Sequence, residues 1–313
     1  MTNHWTLGVD IGGTKIAAAL IDAGGHPHGL HAIPTLAHEG AEAILERVIT
    51  LARAVIAETS IMPVAVGVGT GGQVDPAAGE IVFATELLPG WTGLPLARRL
   101  REALGLPVYV ANDVHAMALG EATYGAGRGV CYGLYVAVGT GIGGGWVLEG
   151  RLYHGRSGLA GSVGHVKVEP NGRPCTCGGR GCVEQYASGP AIAEHYRRLR
   201  GLAATPSGHE VVISMNAGDP LARLAIREAG RWLGLALASL VNAMGPDAIV
   251  VGGGVAAAGE PFFSAIRTSL AQHVLPSARS TPVIPAALGP HAGVIGAGVL
   301  ARQGLSSSTL PRL

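Results

Sequence analysis

One pattern occurs twice in this chain: an apolar strand, a glycine turn carrying a threonine, and a second apolar strand. The first copy runs from a strand at 7–10 through Ile11-Gly12-Gly13-Thr14 to a returning strand at 14–21, ended by Asp22-Ala23-Gly24-Gly25. The second runs from a strand at 132–138 through a glycine turn at 139–144 to a returning strand at 145–148, closed by Glu149-Gly150. Repetition of one strand–turn–strand unit predicts an internally duplicated architecture. Around both copies short apolar runs alternate with helical patterns, which marks an α/β protein. Residues 40–59 repeat Ala43, Ile44, Val48, Leu51 and Val55 at helical spacing. Strands are expected at 63–68, 108–111 and 248–251, and helices at 94–104 (with a basic face), 116–124, 221–244, 260–274 and 294–302.

With 313 residues there is room for two medium domains and ample core. Net charge is +1 and charged residues are 14%, which removes the electrostatic case for nucleic acid or a membrane surface as partner. No uninterrupted apolar run of about 18 residues is present, so no membrane span is expected. Residues 1–20 lack a secretory pattern, and a cytoplasmic location is expected. The serine-rich run at 306–309 is expected to fray.

The first turn, Asp10-Ile11-Gly12-Gly13-Thr14-Lys15, follows a strand. Glycines let backbone approach a phosphate, and successive amides can form an anion-binding nest. Asp10 is placed to hold Mg²⁺ through water, since Mg²⁺ dehydrates reluctantly. The dinucleotide spacing Gly-x-Gly-x-x-Gly is missing, and this is no Walker loop either. Gly139-Thr140-Gly141 opens a second glycine cluster and Gly252-Gly253-Gly254 forms a third. Each alone reads as an ordinary turn; three after strands read as a cleft that wraps a nucleotide. Asn112-Asp113 follows the strand at 108–111. Either Asp113 accepts a proton from an attacking hydroxyl, or the pair caps the next helix.

Cys175, Cys177 and Cys182 stand within eight residues, ten after His165. Cys-x-Cys is cramped for a disulfide. Three thiolates with one imidazole make a closed tetrahedral zinc site of structural type; uncommitted thiols are the other reading. Cys131, in an apolar run, is expected to be a small core residue.

On these motifs the chain resembles the ROK family (repressors, open reading frames and sugar kinases), within the actin-like ATPase and sugar kinase superfamily. The resemblance covers nearly the full length. It rests on Asp10-Ile-Gly-Gly-Thr-Lys15, Ala111-Asn-Asp113, Val138-Gly-Thr-Gly-Ile-Gly-Gly144, Gly252-Gly-Gly254, and above all Gly164-His165 with Cys175-x-Cys177-Gly-x-x-Gly-Cys182-x-Glu184. It implies two actin-like (ribonuclease H-like) domains with a nucleotide and sugar cleft, ATP, Mg²⁺, structural Zn²⁺, and a homodimer or higher homo-oligomer. The expected smaller domain is 1–114 plus 297–313; the larger is 115–296 with a zinc segment at 165–184.

The resemblance also implies roles. Asp113 matches the catalytic base that deprotonates a sugar 6-hydroxyl. Asn112, Gly71, Gly72, Glu184 and His165 match sugar-binding positions, His165 giving one ring nitrogen to zinc and the other to sugar. Asp10, Gly12, Gly13, Thr14, Gly139, Thr140, Gly141, Gly253 and Gly254 match nucleotide-binding positions. Lys15 either touches phosphate or snorkels to solvent. The family usually carries Glu two residues before Gly164; here Ser162 stands there. The implied activity is an ATP-dependent hexose 6-kinase with glucose first. N-acetylmannosamine or N-acetylglucosamine is the alternative that Ser162 favours, because a carboxylate is lost and space is gained. A non-catalytic sugar sensor is a remote third reading. Repressor members carry a helix-turn-helix segment, and none is expected here because the phosphate motif begins at Asp10.

Overall fold

A computed structural model describes residues 5–307. The first hairpin is β1 (Thr6–Ile11) and β2 (Lys15–Ile21), followed by β3 (Pro27–Pro34) and α1 (Ala41–Thr59). Next come β4 (Ala65–Thr70), the small hairpin β5 (Gln73–Asp75) and β6 (Glu80–Phe83), α2 (Leu96–Leu104), β7 (Val108–Asn112) and α3 (Asp113–Tyr124). The second hairpin is β8 (Tyr132–Val138) and β9 (Ile142–Leu148). After it come β10 (Arg151–Tyr153), α4 (Glu184–Ala187), α5 (Gly189–Arg200), α6 (Gly208–Asn216) and α7 (Pro220–Met244). The chain closes with β11 (Ala248–Gly252), α8 (Glu260–His273), β12 (Val283–Pro285) and α9 (Ala292–Ser307).

The chain divides into two compact units. The first takes residues up to 128, 150–160, and those from 290 on; the second takes 129–149 and 161–289. The expected breaks at 114 and 297 fall inside elements of the first unit. One lies at the start of α3 and the other within α9, and these two helices pack on each other.

In the first unit the sheet order is β3-β2-β1-β4-β7. β1 pairs with β2 antiparallel and with β4 parallel, and β4 pairs with β7 parallel. Asp10 lies level with Gly69, and Gly69 with Ala111. α1 buries Ile44, Leu45, Val48, Leu51, Ala52 and Val55, a stripe at helical spacing that makes it a core-facing helix. α9 lies on the sheet almost backbone to backbone. A Cβ at Gly8 would come within 2.1 Å of the Val294 carbonyl oxygen, and one at Gly67 within 1.7 Å of that of Ala297. Only glycine permits that approach. Thr6 Oγ1 donates to the Gly298 carbonyl at 3.0 Å and fixes the helix along β1.

In the second unit β9-β8-β11-β12 run in order, β8 antiparallel to β9 and β11 parallel to both β8 and β12. α7 and α8 pack closely because Gly230 and Gly234 face the carbonyls of Phe262 and Ile266. Both units are thus α/β with mixed sheets, and each sheet is built on one of the two hairpins.

Several boundaries shift. β9 begins at Ile142, three residues before the expected strand, because Ile142, Gly143 and Gly144 already pair with Val138, Ala137 and Val136. α3 begins at Asp113, and α9 extends to Ser307. Of the run expected to fray, Ser306 and Ser307 close α9, while Ser308 and Thr309 lie outside the described residues. Cys131 is exposed, contrary to the core placement expected, because it precedes the first paired residue of β8. No helix among the described residues is long and apolar enough to cross a membrane.

Candidate active site and metal centre

In the first unit the strand register brings Asp10 and the Asn112-Asp113 pair to the same edge. Both lie at the carboxyl ends of parallel strands, the edge where open α/β sheets bind ligands. Gly69 stands between them: a Cβ there would lie 3.5 Å from Asp113 Cα and 3.7 Å from Asp10 Oδ1. Burial pushes the Asp10 carboxyl up to about 7; the nearby Asp113 adds to the rise and Lys15 opposes it. Burial also raises Asp113, against the pull of the Val114 amide, which donates to Asp113 Oδ1 at 2.9 Å, and of His115 and Asn112. A carboxyl whose proton affinity is raised by burial can accept a proton from a hydroxyl, and two close carboxylates suit a hydrated cation.

The capping role falls to Asn112. Its Oδ1 accepts from the amides of Val114 at 2.9 Å and His115 at 3.4 Å. Its Nδ2 donates to the Gly72 carbonyl at 2.9 Å and so pins the loop of Gly71 and Gly72. The buried Trp91 steadies that loop from below, its indole N–H donating to Thr70 Oγ1 at 3.0 Å. The first turn is closed by the Gly12 amide, which donates to the Lys15 carbonyl at 2.9 Å. One amide of the expected nest, Gly12, is therefore already committed. Thr35 Oγ1 donates to the Gly12 carbonyl at 2.7 Å, and Thr14 and Lys15 are exposed.

In the second unit, Gly139, Thr140 and Gly254 line a cavity of about 460 Å³. Its other walls include Pro190, Ala193, Pro206 and Val255. The N-termini of α5 and α6 meet here. The Gly189 amide donates to the Gly139 carbonyl at 2.8 Å, and a Cβ on Gly208 would lie 2.8 Å from Gly189 Cα, so side chains are excluded where the backbones cross. Glycine backbone on one side and short apolar side chains on the other form a slot suited to a flat heterocycle. Gly253 stacks on the backbone of Val138 beneath it. Gly141 borders Glu184, whose Oε2 accepts the Ile142 amide at 2.8 Å, so this carboxylate braces the second turn.

Residues 163–165 form a tight three-residue helical turn, with Ser162 as its cap and Val163 and Gly164 buried. Ser162 and His165, three apart, are both exposed, as eclipsed positions of such a turn should be. His165, Cys175, Cys177 and Cys182 bring their ligand atoms within 4.8 Å of one another. Cys177 and Cys182 sulfurs are 3.6 Å apart, and Cys175 Sγ is 3.9 Å from His165 Nδ1. Bonds of about 2.3 Å to a tetrahedral zinc ion put sulfurs roughly 3.8 Å apart, so the donor set and its spacing fit Zn²⁺. Nδ1 faces the cluster and Nε2 is the other ring nitrogen. The segment is braced by Tyr186, whose hydroxyl donates to Glu169 at 2.7 Å and accepts the Arg173 amide at 2.7 Å.

The expected site residues thus fall in three groups: Asp10 and its turn (Gly12, Gly13, Thr14 and Lys15) with Gly71, Gly72, Asn112 and Asp113; the second and third glycine clusters with Glu184; and His165 with its cysteines, next to Ser162. Sequence reasoning missed the slot walls on α5 and α6. Both helices carried start signals: Ser188 with Pro190, and the reciprocal cap of Ser207 and Glu210.

Over 317 aligned residues the chain is 35% identical to a glucokinase of Streptomyces coelicolor, covering 95% of this chain and 98% of the relative. It is 33% identical to an N-acetylmannosamine kinase of Escherichia coli, covering 95% and 98%. A solved ROK family glucokinase from Streptomyces griseus, in complex with glucose and AMPPNP, is 35% identical with a TM-score of 0.84, covering 96% of this chain and 100% of that one. The ROK family model matches residues 6–304, and the chain belongs to the ROK family.

Proposed function

We propose that this protein is an ATP-dependent sugar kinase that phosphorylates the 6-hydroxyl of a hexose, with glucose as the first candidate. The observation that carries this reading is the pair Asp10 and Asp113, two burial-raised carboxyls flanking Gly69 at one edge of the sheet, in a chain similar over 95% of its length to a glucokinase. In this reading Asp113 accepts the proton of the sugar hydroxyl as that oxygen attacks the γ-phosphoryl group. Phosphoryl transfer asks little covalent chemistry of a protein, so positioning and charge neutralisation dominate. Asp10 holds a hydrated Mg²⁺, whose charge keeps the carboxyl ionised. The slot on α5 and α6 takes the nucleoside of ATP. Asn112, Gly71, Gly72, His165 and Glu184 bind the sugar.

Zn²⁺ on His165, Cys175, Cys177 and Cys182 has a structural role in this proposal: it fixes the ring of His165 through Nδ1, leaving Nε2 for a sugar hydroxyl. Ser162 supports a second reading. It shares the exposed side of its turn with His165 and removes a carboxylate there, and the relative from Escherichia coli is an N-acetylmannosamine kinase. An N-acetylhexosamine is therefore the alternative substrate. The test is ADP release with ATP and Mg²⁺ over glucose, mannose, N-acetylglucosamine and N-acetylmannosamine. Sugar-stimulated ADP release supports the kinase, and the ranking of the four selects the substrate. No stimulation by any of them sinks the proposal.

A further inference from the structure

Each of the three clustered sulfurs has its own N–H donor, and the three donors come from three different places. The Gly179 amide serves Cys177. Gln185 Nε2 donates to Cys175 Sγ at 3.6 Å. Lys167 Nζ donates to Cys182 Sγ at 2.8 Å. Lys167 is paired by strand bridging with Cys182, so backbone register, and not chance extension of a long side chain, brings the ammonium to the sulfur. The amine crosses directly above Gly179, where a Cβ would lie 2.6 Å from Nζ. The backbone of Gln185 is held in turn, since its main-chain carbonyl accepts Arg173 Nη1 at 2.7 Å.

We infer that Lys167 and Gln185 are positioning residues of the metal centre, Lys167 supplying the one positive charge that balances it. The inference rests on the zinc reading above. Three thiolates, a neutral imidazole and Zn²⁺ sum to one negative charge. Cys175 and Cys182 are buried while His165, Cys177 and Lys167 are exposed, so the charge on the two covered sulfurs is the part that is costly unless paired. An ammonium on Cys182 neutralises it at contact distance, and two further N–H donors share the load on the remaining sulfurs. Outer partners of this kind typically change metal affinity by about 10- to 100-fold.

The test measures zinc content of the purified full chain by mass spectrometry, then the rate of zinc release to a chromogenic chelator. Lys167→Met should speed release about 10- to 100-fold, while Lys167→Arg, which keeps the charge and an N–H donor, stays within a few-fold of the unsubstituted protein. Gln185→Met should give a smaller acceleration, in keeping with its longer contact, and reads the same idea if Lys167→Met does not fold. Equal release rates for the unsubstituted protein, Lys167→Met and Gln185→Met overturn the inference while leaving the zinc centre intact. So does an arginine variant as leaky as the methionine one. An unsubstituted chain with no zinc overturns the metal reading itself, and the inference with it.

Discussion

The two hairpins share a backbone device and differ in charge. Ile11 precedes Gly12 as Val138 precedes Gly139, which sets Asp10 of β1 against Ala137 of β8. Each of these residues lies level with a glycine of the next parallel strand, Asp10 with Gly69 and Ala137 with Gly252. Beyond the first hairpin the helix opens with Asp113, whose carboxyl is raised by burial like that of Asp10. At the second the nearby carboxylate, Glu184, is turned under the loop to hold the Ile142 amide. One copy of the frame gathers two buried carboxyls; the other has its carboxylate engaged with backbone and borders a slot whose lining carries no carboxylate, lysine or arginine. In the proposed reading the difference separates two tasks in one repeated scaffold: managing a proton and a cation in one, receiving a neutral heterocycle in the other.

The largest effect should come from removing the charge on which the first copy depends. Asp113→Asn is expected to lower kcat by about 10²- to 10⁴-fold with sugar binding largely intact. Unchanged turnover in a single-turnover assay would remove Asp113 as the base. Next is Ser162→Glu, which restores an acceptor worth about 1.5–3 kcal/mol in a charged hydrogen bond. It should move the ratio of kcat/KM for glucose over N-acetylmannosamine toward glucose by tenfold or more, and an unmoved ratio would show that Ser162 does not set the sugar.

Asp10 makes a prediction about stability. Its folded pKa is raised from 3.8 to about 7, so the folded state holds this proton more tightly than the unfolded chain. The stability it contributes is fully present below pH 3.8 and is lost as pH rises to about 7. Asp10→Asn should then stabilise the ligand-free, Mg²⁺-free protein by about 4 kcal/mol at pH 8 and leave it nearly unchanged near pH 3.5. Thermal melts at the two pH values check this, and equal shifts at both would show that Asp10 is not penalised by burial. The smallest effect tests the comparison from the other side. Ala137→Asp puts a carboxylate where the second copy has none, and should raise the KM for ATP about threefold, with loss of the effect at high salt. No change in KM at low salt would mean that this strand end is remote from the polyphosphate.

How legible all this was in the sequence varied with the kind of signal. β1, β2 and β8 were readable because they are short runs dominated by apolar residues, buried on both faces along nearly their whole length. β3 was not, because Pro27, His28, Gly29 and His31 give it the composition of a loop. Its place in the sheet comes from pairing with β2 through a register shift between Ala18 and Leu20, which no local pattern reveals. The metal cluster was legible because four ligands fall within 18 residues (165–182). Asn112 and Asp113 divided their work in a way that spacing cannot show: both stand before a helix, and only the coordinates assign the cap to Asn112. The slot walls on α5 and α6 escaped because proline, serine and glycine read as loop even when they start helices.

The close seat of α9 on β1 and β4 has a consequence for the order in which the molecule is made. Thr6 and Gly298, joined by a hydrogen bond, are 292 residues apart in the chain. At about 5–20 residues per second a ribosome takes roughly 15–60 s to span that distance. For that interval the first hairpin and its neighbours exist with one face of their sheet uncovered, while the whole second unit is synthesised. The glycines at 8 and 67 leave that face without a side chain at two points where α9 comes closest to its strands. The first-born half of this protein is therefore the last to be finished.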